Sequence, residues 1–181
     1  MIYNDERIAL FVDGPNLYAT AKKLEMDVDY KRLLTHFETA GRLVRASYFT
    51  AICETEEFQP LRPLVDFMQY NGWNIVSKPA REYTGEYGQR KVKGNMSVEL
   101  TVEAIKLAPH IDHIILFSGD RDFCALTQHL QAQGKRVSVV SSIKTSPHFI
   151  ADELRRQADT FIELDGLRDA VSRPPRPAVA A

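Results

Sequence analysis

The stretch Ile8-Ala9-Leu10-Phe11-Val12-Asp13-Gly14-Pro15-Asn16 decides how the rest of the chain is read. Five apolar residues in succession suit a strand covered on both faces, and Asp-Gly-Pro-Asn is turn chemistry that closes it. A strand buried on both faces belongs in a parallel sheet with helices on either side.

Outward from that strand, apolar runs and helical patterns alternate. Helices are expected over about 16–25 and 30–40, the second capped by Asp29 and stopped by Gly41, followed by a strand over about 42–51. Residues 57–70 carry Leu61, Leu64, Val65 and Met68 at helical spacing and exit through Asn71-Gly72, with Pro60 and Pro63 confined to the first turn. A strand over 73–76, a helix over 97–108, a strand over 114–117, a helix over 122–133 and a strand over 137–140 follow. Pro147 is expected to open a helix running to about 157, and 161–164 a short edge strand. This alternation implies right-handed βαβ units in a three-layer α/β/α domain with a mainly parallel sheet.

A chain of 181 residues, 44% hydrophobic and 26% charged, is long enough for one well-buried core. One domain over residues 1–166 is expected, with a flexible Pro/Arg/Ala-rich tail over 167–181. No apolar run approaches the roughly 20 residues of a membrane span, and Met1 to Arg7 is too polar for a secretory signal, so a cytoplasmic protein is expected. Cys53 and Cys124 have no partner at zinc-ligand spacing and read as small core side chains. A net charge of −1 excludes a protein that coats nucleic acid by bulk electrostatics, so any RNA must meet a local basic patch.

In open parallel sheets, ligands collect beyond the carboxyl ends of strands where the strand order reverses. Asp13 follows the first strand directly, and Asp120 and Asp122 follow Ile114–Phe117 through Ser118-Gly119. Singly, Asp13 also reads as a turn residue and Asp120 or Asp122 as a helix cap. Two aliphatic runs in one chain, each delivering carboxylates to a strand end, point instead to a shared pocket. Carboxylates gathered there repel one another unless a cation sits between them, and hard oxygen ligands favour Mg²⁺ or Mn²⁺ over zinc. Asn16 adds an amide nearby and equally suits a cap.

At these residues the chain resembles a known family. Phe11-Val12-Asp13-Gly14-Pro15-Asn16-Leu17 is similar to the opening motif of NYN domains, particularly the LabA-like group within the PIN-like nucleases. Ser118-Gly119-Asp120-Arg121-Asp122-Phe123 resembles their Ser-Gly-Asp-x-Asp-Phe motif, and Lys91-Val92-Lys93-Gly94-Asn95 the lead into their central helix. The resemblance, from about residue 7 to 164, implies a PIN-like (Rossmannoid) fold with sheet order 3-2-1-4-5. It also implies metal-dependent cleavage of RNA, with Asp13, Asp120 and Asp122 as catalytic and metal-holding residues. Asn16, Ser97 and Ser118 fall at the matching substrate-side positions. RNA, single-stranded or structured, is the implied partner; no membrane is involved, and a homodimer is left open.

Ser97 departs from the pattern, which usually carries Asp there. At 100° per residue, Met96, Val98, Leu100, Val102, Ala104, Ile105, Leu107 and Ala108 form a broad apolar face with Ser97 near its middle, so Ser97 is expected to point inward. Glu99, Glu103 and Lys106 read as a solvated strip that does not replace the missing carboxylate. A hydroxyl brings no negative charge, so metal affinity should fall.

Between the third strand and the central helix, residues 81–93 alternate basic and aromatic side chains, with Arg90, Lys91 and Lys93 as candidate phosphate contacts; the same segment also reads as an exposed hairpin. His36, His110, His113, His129 and His148 lack ligand spacing and suit surface or helix-end positions. Covalent catalysis finds no motif, and neither a dinucleotide fingerprint nor a P-loop is present. Two rivals to a nuclease stay open, a non-catalytic RNA-binding or regulatory domain and a phosphoryl-transfer enzyme.

Overall fold

Alternation along the first strand explains how one sheet builds two cores. In β1 (Arg7–Asp13), Ile8, Leu10 and Val12 enter one hydrophobic cluster while Ala9 and Phe11 enter the other, because successive side chains leave opposite faces. The computed structural model describes residues 2–52, 61–84 and 90–174, with the backbone course alone for 81–84 and 90–93.

After β1 come α1 (Gly14–Lys23), α2 (Tyr30–Ala40), β2 (Arg42–Ile52), α3 (Arg62–Tyr70) and β3 (Asn74–Pro79). A hairpin of β4 (Arg81–Thr84) and β5 (Arg90–Lys93) leads to α4 (Ser97–Leu107), β6 (His113–Phe117), α5 (Cys124–Ala132) and β7 (Arg136–Ser141). The described chain then runs through α6 (Asp152–Gln157), β8 (Thr160–Glu163) and α7 (Arg168–Val171). The main sheet has six strands in the order β3-β2-β1-β6-β7-β8, all paired in parallel. Counting only its own strands, this is 3-2-1-4-5-6, the expected order with the short edge strand added.

Residues of α1, α2, α3 and α7 pack on the face lined by Ile8, Leu10, Ile115 and Phe117. Residues of α4, α5 and α6 pack on the face lined by Phe11, Phe49, Leu116 and Val139. Each fully buried Phe or Leu contributes about 2 kcal/mol of transfer free energy, so both faces are needed to hold the sheet. At the amino edge Arg7 clamps β1 to the turn before β6, with Nε donating to Asp112 Oδ2 at 2.9 Å and Nη2 to Oδ1 at 2.6 Å.

Several elements differ from the sequence reading. Helix α1 starts at Gly14, since Asp13 caps it and Pro15 sits in its first turn, where a missing amide costs nothing. Helix α6 starts at Asp152 instead of near Pro147: the Phe149 amide donates back to Ser142 O at 3.1 Å, holding the intervening chain in a loop over the end of β7. The hairpin that the sequence offered as one reading of 81–93 is present, with 81–84 (β4) paired antiparallel to 90–93 (β5). Packed structure continues past 166, because Val171 of α7 is fully buried and Val28 bridges Ser172. The proposed helix start at 57–60 lies outside the described residues, as does Cys53. Among the described residues, no helix is long and apolar enough to cross a membrane.

Candidate functional site

The order of strands reverses between β1 and β6, and their register brings the site residues together. Val12 pairs with Phe117, so the next residues, Asp13 and Ser118, stand side by side at the carboxyl edge. Ser118 Oγ donates to Asp13 Oδ2 at 3.0 Å and accepts from the Asp120 amide at 3.2 Å. Asp13 Oδ1 caps α1 by accepting from the Asn16 amide at 3.4 Å, while Asn16 Oδ1 accepts from the Gly119 amide at 3.1 Å. Asp120 Oδ1 accepts from the Asp122 amide at 3.0 Å. The two motifs are thus laced together through Ser118 and Asn16.

Two glycines make this approach possible. A Cβ on Gly119 would lie 1.7 Å from Phe149 O, and one on Gly14 would lie 2.6 Å from the Tyr48 ring, so neither position accepts a side chain. The Gly119 carbonyl in turn accepts from the Ala151 amide at 2.9 Å, bringing the start of α6 against the site.

Burial pushes the Asp13 carboxyl above its ordinary range, the Ser118 and Asn16 hydrogen bonds pull it back, and the charge of Asp120 raises it further. Among the described residues no Lys, Arg or His forms an ion pair with Asp13, Asp120 or Asp122. Asp13 and Asp120 are therefore neighbouring carboxyl groups without a basic partner among the described residues. Asp122 is exposed and joins them through its amide, not its carboxylate. Among the described residues no three His, Cys, Asp or Glu side chains enclose a metal position by themselves. Mg²⁺ typically takes one or two protein carboxylates and completes its shell with water and substrate phosphate. The Asp13–Asp120 pair fits that donor set.

A model of the NYN domain matches residues 7–165. The chain belongs to the NYN domain family. This NYN domain is 27% identical over 181 residues to the Low amplitude and bright protein LabA of Synechococcus elongatus, covering 98% of this chain and 94% of that protein. It is also similar to the crystal structure of VPA0982, a protein of unknown function from Vibrio parahaemolyticus, with a TM-score of 0.74 and 26% identity over 93% of this chain and 97% of that one. The fold is the PIN-like one.

Elsewhere in the NYN domain, Ser97 opens α4 half-buried, with its amide donating to Asn95 Oδ1 at 2.7 Å. Asn95 therefore supplies the cap, and no hydrogen bond joins Ser97 to Asp13, Ser118 or Asp120 among the described residues. The apolar face expected around Ser97 is split: Leu100 and Ala104 are fully buried, whereas Val98 is 71% and Val102 44% exposed. Three helical stripes were apolar, and α4 buries only the half that faces the sheet. Glu99 does not lie idle in a solvated strip but binds Lys78 of β3 at 2.7 Å.

Arg90, Lys91 and Lys93 lie on β5, and their side chains are outside the described residues. The hairpin's root is at the site's edge of the sheet: a Cβ on Gly94 would lie 2.1 Å from Ala51 Cβ, and the Ala80 amide donates to Ile52 O at 2.9 Å. Cys124 is half-buried at the start of α5, where burial first and then the charge of Glu153 push its thiol up. Glu153, in the first turn of α6, is a carboxylate that sequence reasoning passed over and whose charge reaches Cys124.

His113 corrects the surface reading of the histidines. It is fully buried, with Nδ1 at 3.0 Å from Glu6 Oε2 and Nε2 at 2.8 Å from Ser138 Oγ. The amino edge of the sheet needs a polar side chain there to satisfy Ser138, and a neutral imidazole serves both partners.

Proposed function

We propose that the protein is a divalent-metal-dependent ribonuclease acting at the Asp13–Asp120 pocket. The observation that carries this reading is a half-buried carboxyl, Asp13, held beside Asp120 with no basic partner for either among the described residues. Membership of the NYN family supplies the prior. Asp13 and Asp120 would hold Mg²⁺ or Mn²⁺, with Asp122 approaching from the exposed side once RNA is present. The bound ion would supply charge stabilisation at the scissile phosphate and lower the pKa of an attacking water. Ser118 and Asn16 fix the Asp13 carboxylate, and the Gly119 close approach fixes the loop that carries Asp120. Arg90, Lys91 and Lys93, on a hairpin rooted at the same edge, would contact RNA phosphates.

Ser97 favours a second reading, RNA binding without cleavage, because it removes a charge from the usual ligand set. Labelled single-stranded and structured RNAs incubated with Mg²⁺, Mn²⁺ or EDTA separate the two. Cleavage with either ion that stops in EDTA and in Asp120→Asn supports the nuclease. Tight binding with no cleavage under any condition supports the regulatory domain.

A further inference from the structure

Between α4 and the open face of β2 and β3 lies a groove of ≈ 350 Å³ that the acidic pocket does not use. Phe11, Val76 and Leu107 line it beside the polar side chains of Arg45, Ser47, Asn74, Glu103 and Lys106. There Asn74 Nδ2 donates to the buried Ser47 Oγ at 3.2 Å, which leaves the Asn74 Oδ1 acceptor and the Ser47 hydroxyl proton without partners among the described residues. At the mouth, Arg45 makes no hydrogen bond or ion pair among the described residues, and Lys106 has only Glu103 at 3.4 Å. A groove lined by three apolar side chains, an amide, a hydroxyl and two cations, one of them shared with Glu103, suits a nucleotide. A nucleobase needs flat apolar contact and a few donors and acceptors along its edge, and its phosphate needs the cations.

The groove also has the right place. Phe11 precedes Asp13 by two strand residues, about 7 Å, on the same face of the sheet. Helix α4 runs nine residues, about 14 Å, from Ser97 to Lys106 at the groove. We infer that the groove seats one nucleotide of the RNA strand a short distance from the bond at Asp13 and Asp120, with its base on Asn74 and its phosphate on Arg45 and Lys106. The assignment rests on the nuclease reading for its substrate, but the groove's affinity does not depend on metal.

The test uses the full chain. Binding of a fluorescent single-stranded RNA is measured in EDTA, and kcat and KM for its cleavage are measured with Mn²⁺, for the parent, Arg45→Glu and Asn74→Ala. Both positions reach the surface of the groove, and circular dichroism confirms the fold. The expected result is at least a fivefold loss of RNA affinity in Arg45→Glu, read as a rise in KM with kcat changed less than twofold, and a base-dependent loss in Asn74→Ala. A nucleoside monophosphate titrated in EDTA should shift the Asn74 side-chain amide resonances. If the parent cleaves RNA but neither variant changes affinity or KM, the groove assignment falls and the nuclease reading survives. If no cleavage occurs but Arg45→Glu still weakens binding, the nuclease reading falls and the groove stands. Unchanged binding with no cleavage overturns both.

Discussion

Asp13 caps a helix, accepts the Ser118 hydroxyl and offers a carboxyl with no basic partner among the described residues, and these roles separate under substitution. Asn at this position keeps the shape and the cap but has one acceptor oxygen for two donors. Its lost hydrogen bond opposes the relief of removing a buried charge, so the metal-free protein should change stability by less than about 1 kcal/mol. The response to metal is different. Asp13→Asn should weaken Mn²⁺ binding at least about tenfold, near 1.4 kcal/mol, seen as a smaller Mn²⁺-induced rise in melting temperature. An undiminished rise would show that Asp13 is a cap and nothing more. The sequence made Asp13 and Asp120 legible because Asp13 closes one apolar run and Asp120 follows another after only Ser118-Gly119. Asp122 was equally visible, but nothing in the motif distinguishes a carboxylate turned to the pocket from one joined to it by its amide. Glu153 was hidden because its place depends on Phe149 lying against Gly119, a contact between segments 30 residues apart in sequence.

At the scale of elements, β1, β6 and β7 were legible since parallel strands buried on both faces read as unbroken apolar runs. Helix α4 was legible as a helix but not in orientation, because its apolar residues surround most of its circumference and only packing chooses which are buried. The hairpin was legible only as one of two readings, for the opposite reason: β4 and β5 are polar, and only their backbone pairing declares them strands. Two predictions belong here. Ser97→Asp, at the first turn of α4, should raise Mn²⁺ affinity and any metal-dependent cleavage, since the added carboxylate also benefits from the helix N-terminus. Titration and cleavage rates that both stay at parental values would place residue 97 outside the pocket. Replacing Arg90, Lys91 and Lys93 together by Gln should reduce RNA affinity and lower the slope of log K against log salt by up to about 2, as expected for three phosphate contacts to a single strand. A slope unchanged across salt would assign the hairpin no phosphate contacts.

At the carboxyl ends of β1 and β6, Asp13 and Asp120 have no basic partner among the described residues, whereas at the amino edge Glu6 and Asp112 are both paired. Arg7 holds the Asp112 carboxyl well below the usual range, chiefly by its hydrogen bonds. Burial alone would raise Glu6, yet hydrogen bonds from the Tyr3 amide, Arg136 and His113 lower it overall. His113 is lowered from its ordinary 6.5 by burial, which the Glu6 carboxylate only partly opposes. The signs agree. A histidine with a depressed folded pKa gives full stability above 6.5 and loses it as pH falls, because the unfolded chain takes up the proton first. Glu6, also depressed, loses its contribution further into acid, below its ordinary 4.5. Urea denaturation should therefore show stability declining from pH 7 to pH 5, with a His113 share approaching about 1.4 kcal/mol per pH unit. His113→Gln keeps a donor and an acceptor for Glu6 and Ser138 but does not titrate, so it should start less stable at pH 7 and show a flatter decline. If parent and variant lose stability in parallel between pH 6.5 and 5, His113 is not the group that links the amino edge to acid, and the decline must come from carboxylates alone.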